Sequence, residues 1–356
     1  MIKVRLKKIK KSLRELNLDA ILIMHPENRR YLTGFTGSAG IALITLSNSY
    51  LLTDFRYVEQ AQKEAPDYQV IDPGSETYKK ISELLEKDNV RELAFEEDYI
   101  TFKKYKELKE KLPTYNLVPK TGLVENLRKI KDENELKLLK KAIEISDLAF
   151  EHILNYIKPG VMEKEIALEL EYFMRKNGAE DIAFPTIVAS GERSSLPHGI
   201  ASTKKIAHGE LVTMDFGAVF EGYNSDITRT VCVGKPTSDQ KKIYNLVLKA
   251  QITAEEKMKA GITCKEADSI ARDIIKEAGY GDHFGHGLGH GVGLAVHEGP
   301  TLSFKNDEFL KEGMTVTVEP GVYIPRWGGV RIEDIVLATE NGVSILTNSN
   351  KELISL

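Results

Sequence analysis

LVTMDFGAVFEGYNSDITRTVCV at residues 211–233 and TVTVEPGVYIPRWGGVRIEDIVLA at residues 315–338 decide how this chain folds. Each is an apolar run, a glycine-containing turn and a second apolar run, the pattern of a β-hairpin. Each also carries two acids at matched places, Asp215 and Asp226 in the first, Glu319 and Glu333 in the second. The likeness extends upstream. Gly160 and Gly178 bracket a helical pattern in residues 155–180, and Gly261 and Gly279 do the same in residues 257–282, both pairs 18 apart. Two such helix–hairpin units predict a duplicated domain whose hairpins face each other. Four carboxylates would then meet.

Carboxylates on apolar strands are costly. A buried ionised acid loses several kcal/mol unless a cation or hydrogen-bond donors compensate it. Any one of these acids read alone is an ordinary salt-bridged or edge-strand residue. Four in matched pairs would repel and raise one another's pKa unless divalent cations sat between them. Residues 285–298, GHGLGHGVGLAVHE, place His286, His290 and His297 among five glycines. Each glycine costs a helix about 1 kcal/mol relative to alanine, so this run is extended or looped backbone passing close to something. Acids with one imidazole favour Mn²⁺, Co²⁺ or Fe²⁺, with Zn²⁺ also compatible. The set is too large for one tetrahedral zinc and suits two ions about 3.5–4 Å apart.

The whole chain sets bounds on partners. Its 356 residues, 42% hydrophobic and 29% charged, suffice for two domains with their own cores. A net charge of −4 gives no reason to expect nucleic acid or an anionic membrane. Cys232 and Cys264 stand alone, without a CxxC pair, so neither a disulfide framework nor a zinc knuckle is expected. The basic N-terminal stretch lacks the apolar centre of a signal peptide, and no run approaches the roughly 18 apolar residues of a membrane span. The expected compartment is the cytoplasm. Residues 1–124 alternate apolar runs (20–24, 41–46, 50–53, 68–71, 92–95) with helical stretches near 57–65, 76–87 and 101–111. That predicts a small α/β domain, opened by a helix burying Leu6, Ile9, Leu13 and Leu16, with residues 125–356 forming the second domain.

These residues together resemble the Xaa-Pro peptidases, aminopeptidase P and prolidase, of the pita-bread metallopeptidases. The family's ligand order of Asp, Asp, His, Glu, Glu falls on Asp215, Asp226, His290, Glu319 and Glu333, at spacings of 11, 64, 29 and 14. NRRYLTGFTGS and LLTDFRY are similar to the creatinase-type domain that precedes the catalytic one. The resemblance implies an α+β chain in which a small creatinase-type α/β domain leads into a pita-bread domain with an internal pseudo-two-fold repeat. It also implies two divalent ions, Mn²⁺ foremost, with Co²⁺, Zn²⁺ or Fe²⁺ as alternatives. Asp226 and Glu333 would bridge them, Asp215 would bind one, and His290 and Glu319 the other. Thr228 and Arg331 would orient these groups, and Arg331 would also hold Tyr323. His198 would hold substrate, His297 the reacting carbonyl oxygen, and His286 would stand at the rim. Glu319 would accept the proton of the attacking water.

The activity so implied is hydrolysis of the bond before proline at peptide N-termini, as in an Xaa-Pro aminopeptidase, with an Xaa-Pro dipeptidase as the alternative. Such a bond is a tertiary amide without N–H, so its pocket needs apolar walls; Phe184 is a candidate. A dipeptidase also needs a clamp for the free carboxylate. Arg193 and Arg326 are the only suggestions, and this tilts the sequence reading toward the aminopeptidase. Methionine aminopeptidases share the ligand types but lack the N-terminal domain, and creatinase-type amidinohydrolases share the layout without the metal set. The Asp-Phe-Gly of MDFG has no kinase context, and Ser194, Ser195 and His198 have no nucleophile elbow. The resemblance further implies a homodimer, with residues 31–38 or 54–57 reaching a second copy.

Overall fold

Short apolar runs near the N-terminus become strands of one mixed sheet. A computed structural model describes all of Met1–Leu356, and it divides into two units, Met1–Arg128 and Lys129–Leu356. In the first, β1 (Ala20–Ile23), β2 (Ile41–Thr45), β3 (Ser49–Leu52), β4 (Gln69–Ile71), β5 (Glu92–Glu96) and β6 (Asn116–Lys120) lie in the order β4-β3-β2-β1-β5-β6. β6 carries Pro119 and was not foreseen; proline is tolerated there because the strand is an edge. The helix Pro26–Thr33 also escaped the periodicity, being one short element opened by proline and closed by Gly34 at φ 80°. The opening helix Ile2–Glu15 buries Leu6, Ile9 and Leu13 as expected. Leu16 is 42% exposed instead, because Asn17 turns the chain at φ 55° and Leu18 takes the buried place. The short helix Glu125–Arg128 stays with this unit through Asn28, which accepts from Arg128 (2.8 Å) and donates to Glu125 (2.5 Å).

The second unit is built twice over. Helices Glu133–Ile153 and Glu163–Lys176 precede the first hairpin; helices Ser238–Lys257 and Cys264–Glu277 precede the second. Gly160, Gly178, Gly261 and Gly279 all adopt positive φ, between 85° and 103°, at the turns that start and stop the second helix of each pair. After β7 (Asp181–Ile182) and β8 (Ile187–Ser190), the first hairpin runs β9 (Leu211–Phe216), β10 (Ala218–Phe220), β11 (Tyr223–Asn224), β12 (Ile227–Cys232). The outer strands pair with Asp215 opposite Thr228, and the tip strands pair in a different sheet with β7. Following β13 (Gly289–Gly291) and β14 (Glu298–Leu302), the second hairpin runs β15 (Thr315–Val318), β16 (Gly321–Ile324), β17 (Gly328–Arg331), β18 (Asp334–Thr339). It too pairs outer with outer, inner with inner, before β19 (Gly342–Ile345) closes its sheet. Each half has its own apolar core, one centred on Phe150, Leu170, Met214 and Val231, the other on Val247, Ala271, Val316 and Val336. No helix is long and apolar enough to cross a membrane.

Two consequences position the site. All four acids fall where a hairpin passes from its outer to its inner sheet: Asp215 near the end of β9, Asp226 just before β12, Glu319 just after β15, Glu333 just before β18. The glycine-rich run is not helical. It supplies β13, held between β14 and β15, where a Cβ on Gly289 would lie 2.0 Å from the Thr317 carbonyl and one on Gly291 2.2 Å from that of Gly299. Gly289 and Gly291 are there because neighbouring backbone leaves no room.

Candidate metal centre and substrate cavity

Asp226, His290 and Glu333 bring one ligand atom each to within 4.8 Å of one another. His290 Nδ1 lies 3.0 Å from the Gly291 carbonyl. A carbonyl can only accept, so this nitrogen carries the proton and the Nε2 lone pair faces the acids. Nε2 stands 3.5 Å from Asp226 Oδ2 and 3.4 Å from Glu319 Oε1, too long for the charge-assisted bonds these groups form with each other. Asp215 Oδ1 and Glu333 Oε1 are buried without any hydrogen-bond partner. Electron pairs from an imidazole and several carboxylates thus converge, and two of the carboxylate oxygens meet no protein donor. That donor set fits divalent cations, and the three-residue cluster with Glu319 and Asp215 around it could hold them.

The electrostatics agree. Burial, with repulsion among the acids, drives the carboxyls of Asp226 and Glu333 well above the ordinary range and raises Glu319 as well. Burial lowers the imidazoles of His286, His290 and His297, favouring their neutral forms. One permanent cation serves the cluster. Arg331, buried on β17, donates from Nη2 to Asp215 Oδ2 (2.6 Å), from Nε to Thr228 Oγ1 (2.9 Å), and from Nη1 to the Tyr323 hydroxyl (2.8 Å) and the Pro197 carbonyl (3.2 Å). Thr228 in turn donates a hydrogen bond from its hydroxyl to Glu333 Oε2 at 2.6 Å. His286 Nδ1 donates to the Gly287 carbonyl (2.8 Å), leaving Nε2 to accept from Tyr323 (3.0 Å).

The acids form the floor of a cavity of about 890 Å³. Its walls include Phe184, His198, His286, His290, His297, Tyr323 and Arg331, whereas Thr228 is fully buried beneath. The rings of His297 and His290 are 4.3 Å apart. Arg193 and Arg326 do not line it, which removes both from consideration as a carboxylate clamp: Arg193 is bound to the buried Glu163 and to the Ile200 carbonyl (2.9 Å), and Arg326 is exposed. Ser194 is structural, bridging the Gly329 amide (2.7 Å) and the Gly191 carbonyl (2.6 Å). His283 also lines the cavity, with Nδ1 on the Tyr323 carbonyl at 3.1 Å.

Some contributors went unforeseen. Thr317 accepts from the His290 amide (3.0 Å) and donates to Glu319 Oε1 (3.1 Å). Its signal was available, since it precedes Glu319 by two on an alternating strand and must point the same way. Asn224 gives both its amide and its side chain to the carbonyls of Gly293 and Leu294, ahead of His297. Nothing local announces that contact.

Comparison with known proteins agrees with this architecture. The profile of metallopeptidase family M24 matches residues 137–340, and that of the creatinase/prolidase N-terminal domain matches residues 5–130. The Xaa-Pro dipeptidase of Pyrococcus furiosus is 43% identical over 353 residues, covering 99% of this chain and 100% of its own. Among solved structures, an Xaa-Pro dipeptidase from Bacillus anthracis superposes with a TM-score of 0.98 at 47% identity, covering 100% of both chains. An X-Pro aminopeptidase from Thermotoga maritima gives 0.91 at 42% identity, over 97% of this chain and 100% of that one. The chain belongs to metallopeptidase family M24, with a creatinase-type N-terminal domain ahead of a pita-bread catalytic domain. It is accordingly a metal-dependent peptidase, a hydrolase.

Proposed function

We propose that the protein is an Xaa-Pro dipeptidase, hydrolysing the bond that joins a residue to a C-terminal proline in two-residue substrates. The observation that carries the reading is the convergence of Asp215, Asp226, His290, Glu319 and Glu333 on one side of a cavity lined by His198, His297 and Phe184. The choice of dipeptide over longer peptide departs from the expectation drawn from the sequence. It is supported by the names of the Pyrococcus furiosus and Bacillus anthracis relatives. The aminopeptidase remains the second reading, favoured by the Thermotoga maritima relative.

Two divalent cations would be held by the side chains of Asp215, Asp226, His290, Glu319 and Glu333. When bound, such ions would bring the pKa of a water toward neutrality and polarise the scissile carbonyl. The protein's own groups do the rest. Glu319 accepts a proton from the attacking water and delivers it to the proline nitrogen as the C–N bond breaks. His297 donates to the carbonyl oxygen as negative charge develops there. His198 holds substrate at the mouth, and the Phe184 ring gives the pyrrolidine an apolar wall. Arg331 and Thr228 keep Asp215 and Glu333 oriented. We further propose a homodimer: Phe55, 79% exposed in the segment 54–57, suits contact with a second copy, whereas Tyr31 and Phe35 are buried in their own unit. Mn²⁺ is our choice of ion.

Cleavage of Ala-Pro and Ala-Pro-Ala by Mn²⁺-loaded protein tests the reading. Preference for the dipeptide is expected. Preference for the tripeptide would transfer the assignment to an aminopeptidase, and cleavage of neither would remove both.

A further inference from the structure

The segment carrying His286 and His290 has almost no side-chain bulk of its own, yet its backbone follows one defined path. Where strands β14 and β15 do not hold it, its hold comes from helix Cys264–Glu277. Asp268 is fully buried and Arg272, one turn on, meets it as a fork, Nε to Oδ2 at 2.5 Å and Nη2 to Oδ1 at 2.8 Å. The remaining donors of the guanidinium reach the Phe284 carbonyl from Nη1 (3.0 Å) and the His286 carbonyl from Nη2 (2.6 Å). Asp268 Oδ1 accepts from the Leu288 amide at 2.9 Å. The pair therefore grips residues 284, 286 and 288 in succession, as a neighbouring strand would. The Phe284 ring covers the guanidinium at 4.3 Å and the Phe304 ring lies at 5.2 Å.

We infer that Arg272, locked by Asp268, is a positioning residue for the histidine segment. It sets the backbone from which His286 reaches Tyr323 and from which His290 reaches Asp226 and Glu319. Lysine cannot replace it fully, because a single ammonium cannot keep the fork on Asp268 while bonding two carbonyls. The inference rests on the metal reading of the cluster for its effect on ligand binding, but the grip itself does not depend on a metal.

The test uses Arg272→Met, Arg272→Lys and Asp268→Asn in the full chain. Mn²⁺ titration should show affinity lowered about tenfold or more in Arg272→Met, the order seen when partners that orient metal ligands are lost, with a smaller loss in Arg272→Lys. On a proline dipeptide, kcat should fall further than KM rises. Amide hydrogen exchange of peptide 284–291 in chelated protein should quicken at least tenfold in Arg272→Met, and less in Arg272→Lys. If Arg272→Met does not fold, Arg272→Lys and Asp268→Asn carry the same comparison. Should wild type take up no Mn²⁺, the metal reading fails while the exchange measurement still decides this one. Unchanged exchange in 284–291 in all three variants overturns the inference.

Discussion

Thr228 of the first hairpin donates a 2.6 Å hydrogen bond to Glu333 Oε2 of the second, and the Glu333 amide donates back to the Thr228 carbonyl at 3.1 Å. The two halves of the duplicated domain are thus tied by the residues on which their acids depend. Thr228→Val should leave Arg331 Nε and Glu333 Oε2 each short of a partner, at about 1–3 kcal/mol for a buried group so stranded. Urea unfolding of chelated protein should show that loss, and Mn²⁺ affinity should fall by about 10–100-fold. A variant with unaltered Mn²⁺ affinity would show that the tie does not orient Glu333.

Acidity offers a second check. Burial and mutual repulsion hold the carboxyls of Asp226, Glu319 and Glu333 above their ordinary range in the metal-free fold. Above about pH 4.5, the unfolded chain releases these protons while the folded chain keeps them, so the unfolded state binds fewer. The contribution of these acids to stability is then negative in slope: it falls as pH rises toward neutrality. Chelated wild type should lose stability between pH 5 and pH 7 relative to Glu333→Gln, whose amide does not titrate. Saturating Mn²⁺ should abolish the difference in slope, because bound ions replace the protons. Parallel stability curves for chelated wild type and variant would contradict it.

His297 separates binding from chemistry. It lines the cavity beside His290 yet lies outside the tight cluster of Asp226, His290 and Glu333. His297→Ala should lower kcat by about 10²–10³-fold, the usual cost of removing one donor to a developing oxyanion. Mn²⁺ affinity should stay near wild type. Loss of metal with loss of rate would make His297 a ligand instead.

Arg229 should matter for stability. It is 1% exposed, and its guanidinium reaches the carbonyls of Thr228 (3.0 Å), Glu333 (2.5 Å), Ser349 (2.8 Å) and Asn350 (3.0 Å), and Asp334 Oδ1 (2.7 Å). Arg229→Met strips one partner from a buried pair, a change that costs about 3–5 kcal/mol. The Lys351 ammonium, 2.7 Å from Asp334 Oδ2, should keep the loss toward the lower end. A shift in urea midpoint measures it; a loss below 1 kcal/mol would refute the pinning role.

What could be read in advance followed from local rules. Period-two apolar runs with turn residues located the hairpins, and acids on such runs stood out because burial makes them expensive. Glycines in the histidine segment excluded a helix. The groups that escaped act at long range or through the main chain. Arg229 binds carbonyls more than 100 residues away, Asn224 those of Gly293 and Leu294, and Arg272 those of Phe284 and His286. A carbonyl is present at every position, so no residue pattern marks which one a guanidinium will find. Leu16 failed for a related reason: its periodicity was right, but Asn17 ended the helix first.

Anomalous diffraction from crystals grown with Mn²⁺ bears most directly on the centre itself. Two manganese peaks per chain are predicted, both touching Asp226 and Glu333, with Asp215 on one and His290 and Glu319 on the other. A single peak, or peaks remote from His290 Nε2, would contradict the two-ion site and with it the hydrolytic arrangement built around it.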